Sequence, residues 1–289
     1  MAQEPGASRV GEAARSFQKT LLRFRPVLPI VFVCGGASET CHRAKFLRSA
    51  RKYGRTARFF LAEKAYEEQR NVGDSKFIIL STFEQGMAEI SHAILLFPES
   101  VGSYAETGLF SAFPEIRRKV LIAQPRDYQT VQSFLSDGPI HSIARDTLFG
   151  KLVLFDSAKG RVDFSEVYKV LSSLPSRPQW RELGLNWSEL PLSHKVGLIQ
   201  LLFEVFPYMT YTDIVIAIEV LVGEKPGQSA SAPVAYLTSL GGIRKDEHDF
   251  YHRLSPLYEF DTHGAKIGEL RLSIRETYTK SHPMHGEFR

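Results

Sequence analysis

Cysteine is almost missing from this chain. Only Cys34 and Cys41 occur among 289 residues, too few for a small disulfide-stapled scaffold. Two thiols so close in sequence, with no secretion leader before them, are expected to be reduced. A metal role for them with His42 would need further ligands at suitable spacing. His248 and His252 stand four apart, but in a stretch that reads as a hairpin, so no metal site is expected. No apolar run approaches the roughly 20 residues that span a bilayer. The first residues, MAQEPGASRVGEAARS, lack the apolar core of a signal peptide, and the expectation is a cytoplasmic protein. Internal repeats and low-complexity tracts are absent too.

What is present is ordinary globular material, 43% hydrophobic and 24% charged, long enough for two domains. The net charge of +4 is unevenly spread. Residues 179–289 carry 11 Lys/Arg against 14 Asp/Glu, whereas residues 1–178 carry 25 against 18. A polyanion is therefore expected on the first part.

Residues 1–15 read as a loose tail and Ser16–Arg25 as a short amphipathic segment. Short apolar runs then alternate with helical patterns. Strands are expected at Val27–Cys34, Ala57–Leu61, Ala93–Phe97, Lys119–Ala123 and Lys151–Phe155. Helices are expected from Ser38, as cap, to Tyr53, and at Thr82–Ser91, Tyr104–Phe113 and Phe164–Leu174. Such alternation implies an α/β fold, a parallel Rossmann-like sheet with helices on both faces. Ligands in these sheets collect beyond the carboxyl ends of the strands. Gly35-Gly36 and the Pro98–Glu106 turn should share that rim.

Pro175, Pro178 and Pro191 mark a boundary near residue 178. Beyond it come helices at His194–Phe206, Tyr211–Leu221 and Ala232–Leu240, a two-stranded wing at Ile243–Tyr258, and a closing helix from Ala265 to about Tyr278. Helix, helix, helix, hairpin is the order of a winged helix-turn-helix domain, expected over residues 179–289.

The most informative stretch is Ile94–Phe110, ILLFPESVGSYAETGLF. A strand runs into a Pro/Gly/Ser turn, and Glu106 falls early in the next helix. Breaking an N-glycosidic bond builds positive charge on the anomeric carbon, and a carboxylate here could face it. Gly102 lets backbone approach closely, and the helix N-terminus offers unpaired N–H groups to hydroxyls or phosphate. Its positive end should also keep Glu106 ionised. Ser103-x-x-Glu106 is equally the spacing of a capping box, and spacing alone leaves both readings open.

Read together, VFVCGG (31–36), AEISHAILLFPES (88–100), GSYAETGLFS (102–111), RRKVLIA (117–123) and SFLSDGPI (133–140) resemble the effector (toxin) proteins encoded with bacterial retrons. The N-terminal domain of that group is similar to nucleoside 2-deoxyribosyltransferases. The resemblance covers roughly residues 30–145. It implies a domain of that kind over residues 1–178, with its nucleophile at Glu106 inside the G-[ST]-x-x-E motif formed by Gly102, Ser103 and Glu106. It further implies that Cys34, Gly35 and Gly36 line a nucleotide pocket, that Pro98, Glu99 and Ser100 form its FPES turn, and that Glu84 is a pocket-side acid. His92 stands where an aspartate is expected and receives no role. Phosphoribohydrolases of the lysine-decarboxylase-like group share G-[ST]-x-x-E after paired glycines, which Pro98-Glu99-Ser100-Val101 does not match.

The resemblance implies a toxin that cleaves a nucleotide, NAD first among candidates, as substrate and with no cofactor. Its partners would be the retron reverse transcriptase and its multicopy single-stranded DNA/RNA hybrid, in a homo-oligomer or a larger assembly, with no membrane. Arg43, Lys45, Arg48, Arg51, Lys52 and Arg55 form a basic run, continued by Arg58, that either is a solvated face or meets nucleic-acid phosphates. The helix Ala232–Leu240 contains no Lys or Arg, which disfavours sequence reading in a duplex groove. Arg244, Lys245 and Arg253 in the wing could still touch a backbone. The competing readings are a non-catalytic, nucleotide-sensing winged-helix DNA-binding regulator and an assembly subunit with a decayed pocket.

Overall fold

A computed structural model describes residues 23–50, 57–63, 80–128, 132–150, 152–157, 162–175, 178–184 and 186–261, with isolated positions 67 and 272. The chain forms two compact units. Among the described residues one holds 28–63 and 80–178, and the other holds 23–27 and 179–261. No helix among the described residues is long and apolar enough to cross a membrane.

The first unit is an α/β layer structure. Its strands are β2 (Ile30–Cys34), β3 (Arg58–Phe60), β4 (Ala93–Leu96), β5 (Val120–Pro125) and β6 (Val153–Phe155), and its helices are α1 (His42–Ala50), α2 (Leu80–Ile90), α3 (Val101–Ala112), α4 (Pro114–Arg117), α5 (His141–Asp146) and α6 (Ser165–Leu171). The sheet is parallel, in the order β3-β2-β4-β5-β6. Every residue of β2, β4 and β5 is buried. This is why these strands read as unbroken apolar runs and not as alternating ones. On one face Val31, Val33, Leu95, Leu121 and Val153 pack with Phe46 of α1 and Val167 of α6. On the other, Phe32 of β2 meets Phe110 of α3 edge-on at 6.0 Å. Between β5 and α5 the chain makes a 3-10 turn, Arg126–Tyr128, and a π-turn, Ser136–Ile140.

The second unit contains β1 (Arg23–Pro26), β7 (Arg181–Glu182), α7 (Leu192–Val205), β8 (Tyr208–Met209), α8 (Tyr211–Val222), α9 (Ser231–Ser239), β9 (Ile243–Lys245), β10 (Tyr251–Arg253) and β11 (Tyr258–Asp261). Arg23–Arg25, expected in an amphipathic segment, is instead strand, antiparallel to β11 and β7. It docks because Gly197 of α7 leaves room: a Cβ there would lie 2.9 Å from the Phe24 ring. A second antiparallel sheet runs β8-β10-β9. The Asp246 carboxylate ties its hairpin, accepting from the backbone N–H groups of His248 and Phe250 and bonding His252 Nε2 at 2.6 Å. The expected closing helix lies outside the described residues except for Leu272.

Candidate active site

The sheet order reverses between β2 and β4: the chain leaves β2 toward β3, then crosses back to β4, β5 and β6. Such a switch point opens a crevice at the carboxyl ends of the two strands. Here those ends are Cys34-Gly35-Gly36 and Pro98-Glu99-Ser100. Glu99 clamps them together. Its carboxylate accepts from the N–H groups of Gly36 (3.1 Å), His42 (2.6 Å) and Arg43 (3.0 Å), and it bonds His42 Nδ1 at 2.8 Å. Burial pushes this carboxyl up, but these hydrogen bonds outweigh it and hold Glu99 below the ordinary glutamate range.

Two expectations change here. The first turn of α1 is held by Glu99, while Ser38 Oγ serves only a local turn with the Thr40 N–H. The N–H groups of Gly36, His42 and Arg43 are therefore already occupied by Glu99, which ties the two strand ends together. Gly35 and Gly36 are needed for closeness. A Cβ on Gly35 would fall 2.9 Å from Glu99 Oε1, and one on Gly36 would overlap Cys41 Sγ.

The capping box on α3 pairs Ser100 with Ser103, not Ser103 with Glu106. Ser100 Oγ accepts from the Ser103 N–H at 3.2 Å, and Ser103 Oγ accepts from the Ser100 N–H at 2.8 Å. The register is one turn earlier than the sequence suggested, so Glu106 has no part in the cap. Its Oε2 is sealed from solvent and makes no hydrogen bond among the described residues. An unpaired buried carboxyl oxygen is costly, and nothing in the helix geometry requires one there.

The charge state expected for Glu106 is also overturned. Burial, then the nearby carboxylates of Glu84 and Glu63, push it up to about 8, against smaller lowering effects from Arg43 and a hydrogen bond with the Cys34 thiol. The helix dipole acts only within the first turn, and desolvation dominates farther in. Glu84 is itself raised by burial and by Glu63. The Cys34 thiol is fully buried and raised well above its usual value, first by burial and then by Glu106, Glu84 and Glu63. At neutral pH Glu106 thus holds its proton.

Arg43 was expected on an exposed basic face. It is buried, and its guanidinium pairs with Glu63 Oε1 at 2.5 Å. Arg43 lies three and seven residues before Phe46 and Ala50, the inward residues of α1, so helical spacing alone would have turned it inward. Lys45 is half-buried and Arg48 exposed, the latter donating to the Glu39 carbonyl at 2.8 Å. Arg51, Lys52 and Arg55 lie outside the described residues. Gly102 is exposed at the start of α3. His92 is structural: its Nδ1 accepts from the Ile30 N–H at 3.1 Å.

Pro98 falls elsewhere. It lines a cavity of about 630 Å³ with Tyr104 and Gly108 of α3. Residues two positions either side of Glu106 project about 200° away from it. The cavity and the acidic cluster therefore occupy opposite flanks of α3. Glu63 had no motif around it in the sequence, and Arg43, expected on a solvated face or against nucleic-acid phosphates, joins the carboxyl group near Glu106 instead.

A family model described as "STM3845 retron effector protein" matches residues 39–245. Two relatives from Escherichia coli align over shorter stretches. One, named as a candidate ribosyltransferase/DNA-binding protein of retron Ec73, is 26% identical over 125 residues, 42% of this chain and 40% of the relative. The other carries the same description for retron Ec86 and is 30% identical over 117 residues, 40% of this chain and 37% of the relative. The matches thus span about two fifths of each relative's length.

Proposed function

The chain belongs to the STM3845 retron effector family, and from that premise we propose that it is an antiviral toxin that breaks the N-glycosidic bond of a nucleotide, NAD foremost. Glu106 is its catalytic carboxylate. The observation that carries this reading is the proton-holding Glu106 carboxyl at the switch point, its buried Oε2 without a partner, grouped with Glu84 and Glu63 and offset by Arg43 and the Cys34 thiol. The first unit is read as nucleoside deoxyribosyltransferase-like. The ribosyltransferase names of the two E. coli relatives support glycosyl-transfer chemistry.

The charge balance favours a cationic substrate. Three carboxyls against one guanidinium leave the cluster short of positive charge, and the nicotinamide ring of NAD is positively charged. Bound beside Glu106, that ring would lower the carboxyl's pKa and release its proton. The carboxylate then faces the anomeric carbon. As the C–N bond breaks, its electron pair neutralises the leaving nicotinamide and positive charge moves to the sugar, where Glu106 stabilises or captures it. Water completes the reaction, giving ADP-ribose and a proton. A neutral nucleoside brings no such charge and leaves Glu106 protonated.

The second unit is read as a winged helix-turn-helix, supported by the order α7-β8-α8-α9-β9-β10 and the sheet β8-β10-β9. Its third helix, α9, has no exposed residue among those described and no Lys or Arg. This counts against the alternative of a duplex-reading regulator. The unit instead binds partner protein or structured nucleic acid, taken here to be the retron reverse transcriptase with its multicopy DNA/RNA hybrid, which restrain the toxin. The test is to incubate the purified chain, free of partners, with NAD, nucleotides and deoxynucleosides and to weigh the products. Nicotinamide and ADP-ribose are expected. No cleavage of any member of the panel overturns the proposal.

A further inference from the structure

The cavity on the far flank of α3 has a chemistry of its own. Its walls are Tyr104, Tyr128, Phe134, Pro139 and Ile140, and none of the residues lining its 630 Å³ is charged. Three rings remain open to solvent: Tyr104 is 43% exposed, Tyr128 51% and Phe134 89%. Large exposed aromatics grouped around one concavity mark a binding surface more than a folding requirement. At its edge stands Gln124, from the carboxyl end of β5, only 7% exposed. Its side-chain amide makes no hydrogen bond among the described residues, whereas Ser133 and Ser136 beside it are bonded to one another.

The Gln124 amide is not among the buried polar groups sealed off without a partner; it belongs to the cavity lining, where its donor and acceptor can meet a ligand. The volume suits a small organic ligand, for which pockets of roughly 300–1,000 Å³ are usual. An amide presents one donor beside one acceptor, a pair that matches the edge of a nucleobase, adenine best. The rings provide stacking surfaces for a planar heterocycle. A lipid tail would leave the amide unpaired, and a phosphate would find no cation among the described lining residues.

We propose that this cavity is a nucleobase-binding site, taking an uncharged purine between Tyr104, Tyr128 and Phe134 and reading its edge with Gln124. The base comes either from a small nucleotide or from an unstacked position in a nucleic-acid strand. The site lies on the flank of α3 away from Glu106 and does not depend on the glycosidase reading.

The test titrates the full chain, by calorimetry, with adenosine, with a short oligo(dA), and with an abasic strand of equal length. Gln124→Leu and Phe134→Ala are measured alongside, the latter at a position too exposed to disturb folding. Binding of adenosine, or of oligo(dA) but not the abasic strand, weakened at least about tenfold by each substitution, is expected. The adenosine arm identifies a small-molecule source and the strand arm a nucleic-acid source. Absence of base-dependent binding, or binding unchanged in both variants, overturns the site. So does binding abolished by Glu106→Gln but kept in Gln124→Leu, because the base would then sit on the acidic flank.

Discussion

The two flanks of α3 differ in every electrostatic respect although they share one helix. One gathers Glu106, Glu84 and Glu63 around a single buried guanidinium, and burial pushes Glu106 up to about 8 and raises Glu84. The other collects open aromatic rings and one amide, with no charged side chain among the described residues that line the cavity. The difference teaches how a short element can separate reaction from recognition. Charge is tuned by burial on the side facing β2, while the side facing β5 stays neutral enough for a planar ring. Helix α3 can serve both because the Ser100–Ser103 box fixes its start, and with it the 200° between Glu106 and its neighbours.

The largest expected effect is on the pH dependence of stability. The folded-state pKa of Glu106, about 8, lies above its unfolded value of 4.5, so the folded state keeps a proton that the unfolded state releases. Stability is full below pH 4.5 and declines as pH rises toward 8. By the pKa-to-energy conversion this loss is at most about 5 kcal/mol. Glu106→Gln should remove the slope, so that thermal melts of the variant and the parent diverge in the variant's favour as pH increases. A parent protein whose melting temperature is flat from pH 5 to 8.5 would erase the contrast between the flanks.

Glu99→Ala should come next, costing about 2–3 kcal/mol through lost charge-assisted bonds to backbone N–H groups. Because its folded-state pKa is depressed, this contribution is present above pH 4.5 and fades as pH falls through the lowered value. Denaturant melts at pH 7 and pH 3.5 would measure both. Ser100→Ala removes the side-chain cap of α3 and should cost about 1 kcal/mol, read from the same melts. Smallest is Phe134→Ala, expected within about 0.5 kcal/mol of the parent because its ring is mostly in water. A large loss there would mean that the apolar flank is core, not a site.

The layer structure was legible because buried parallel strands leave apolar runs bounded by glycine and proline, as at Ile30–Cys34 and Ala93–Leu96. The turn before Glu106 was equally visible. Glu99 as a clamp was not, since its partners lie 56 to 63 residues away in sequence. The cap register shifted because Ser-x-x-Ser satisfies the same donors as Ser-x-x-Glu one turn later. Arg43 was misread because charge suggested exposure while spacing pointed inward. Arg23–Pro26 pairs with residues more than 230 positions away, a contact no local pattern announces. Gln124 reads as an ordinary polar residue near a strand end until the cavity beside it is seen.

The central claim rests on the acid flank reacting, and one measurement addresses it most directly: single-turnover release of nicotinamide from NAD by the parent and by Glu106→Gln, with melting curves taken in parallel. A loss of about a thousandfold or more, in a variant at least as stable as the parent at pH 8, is predicted. Equal rates in the two proteins would contradict the account.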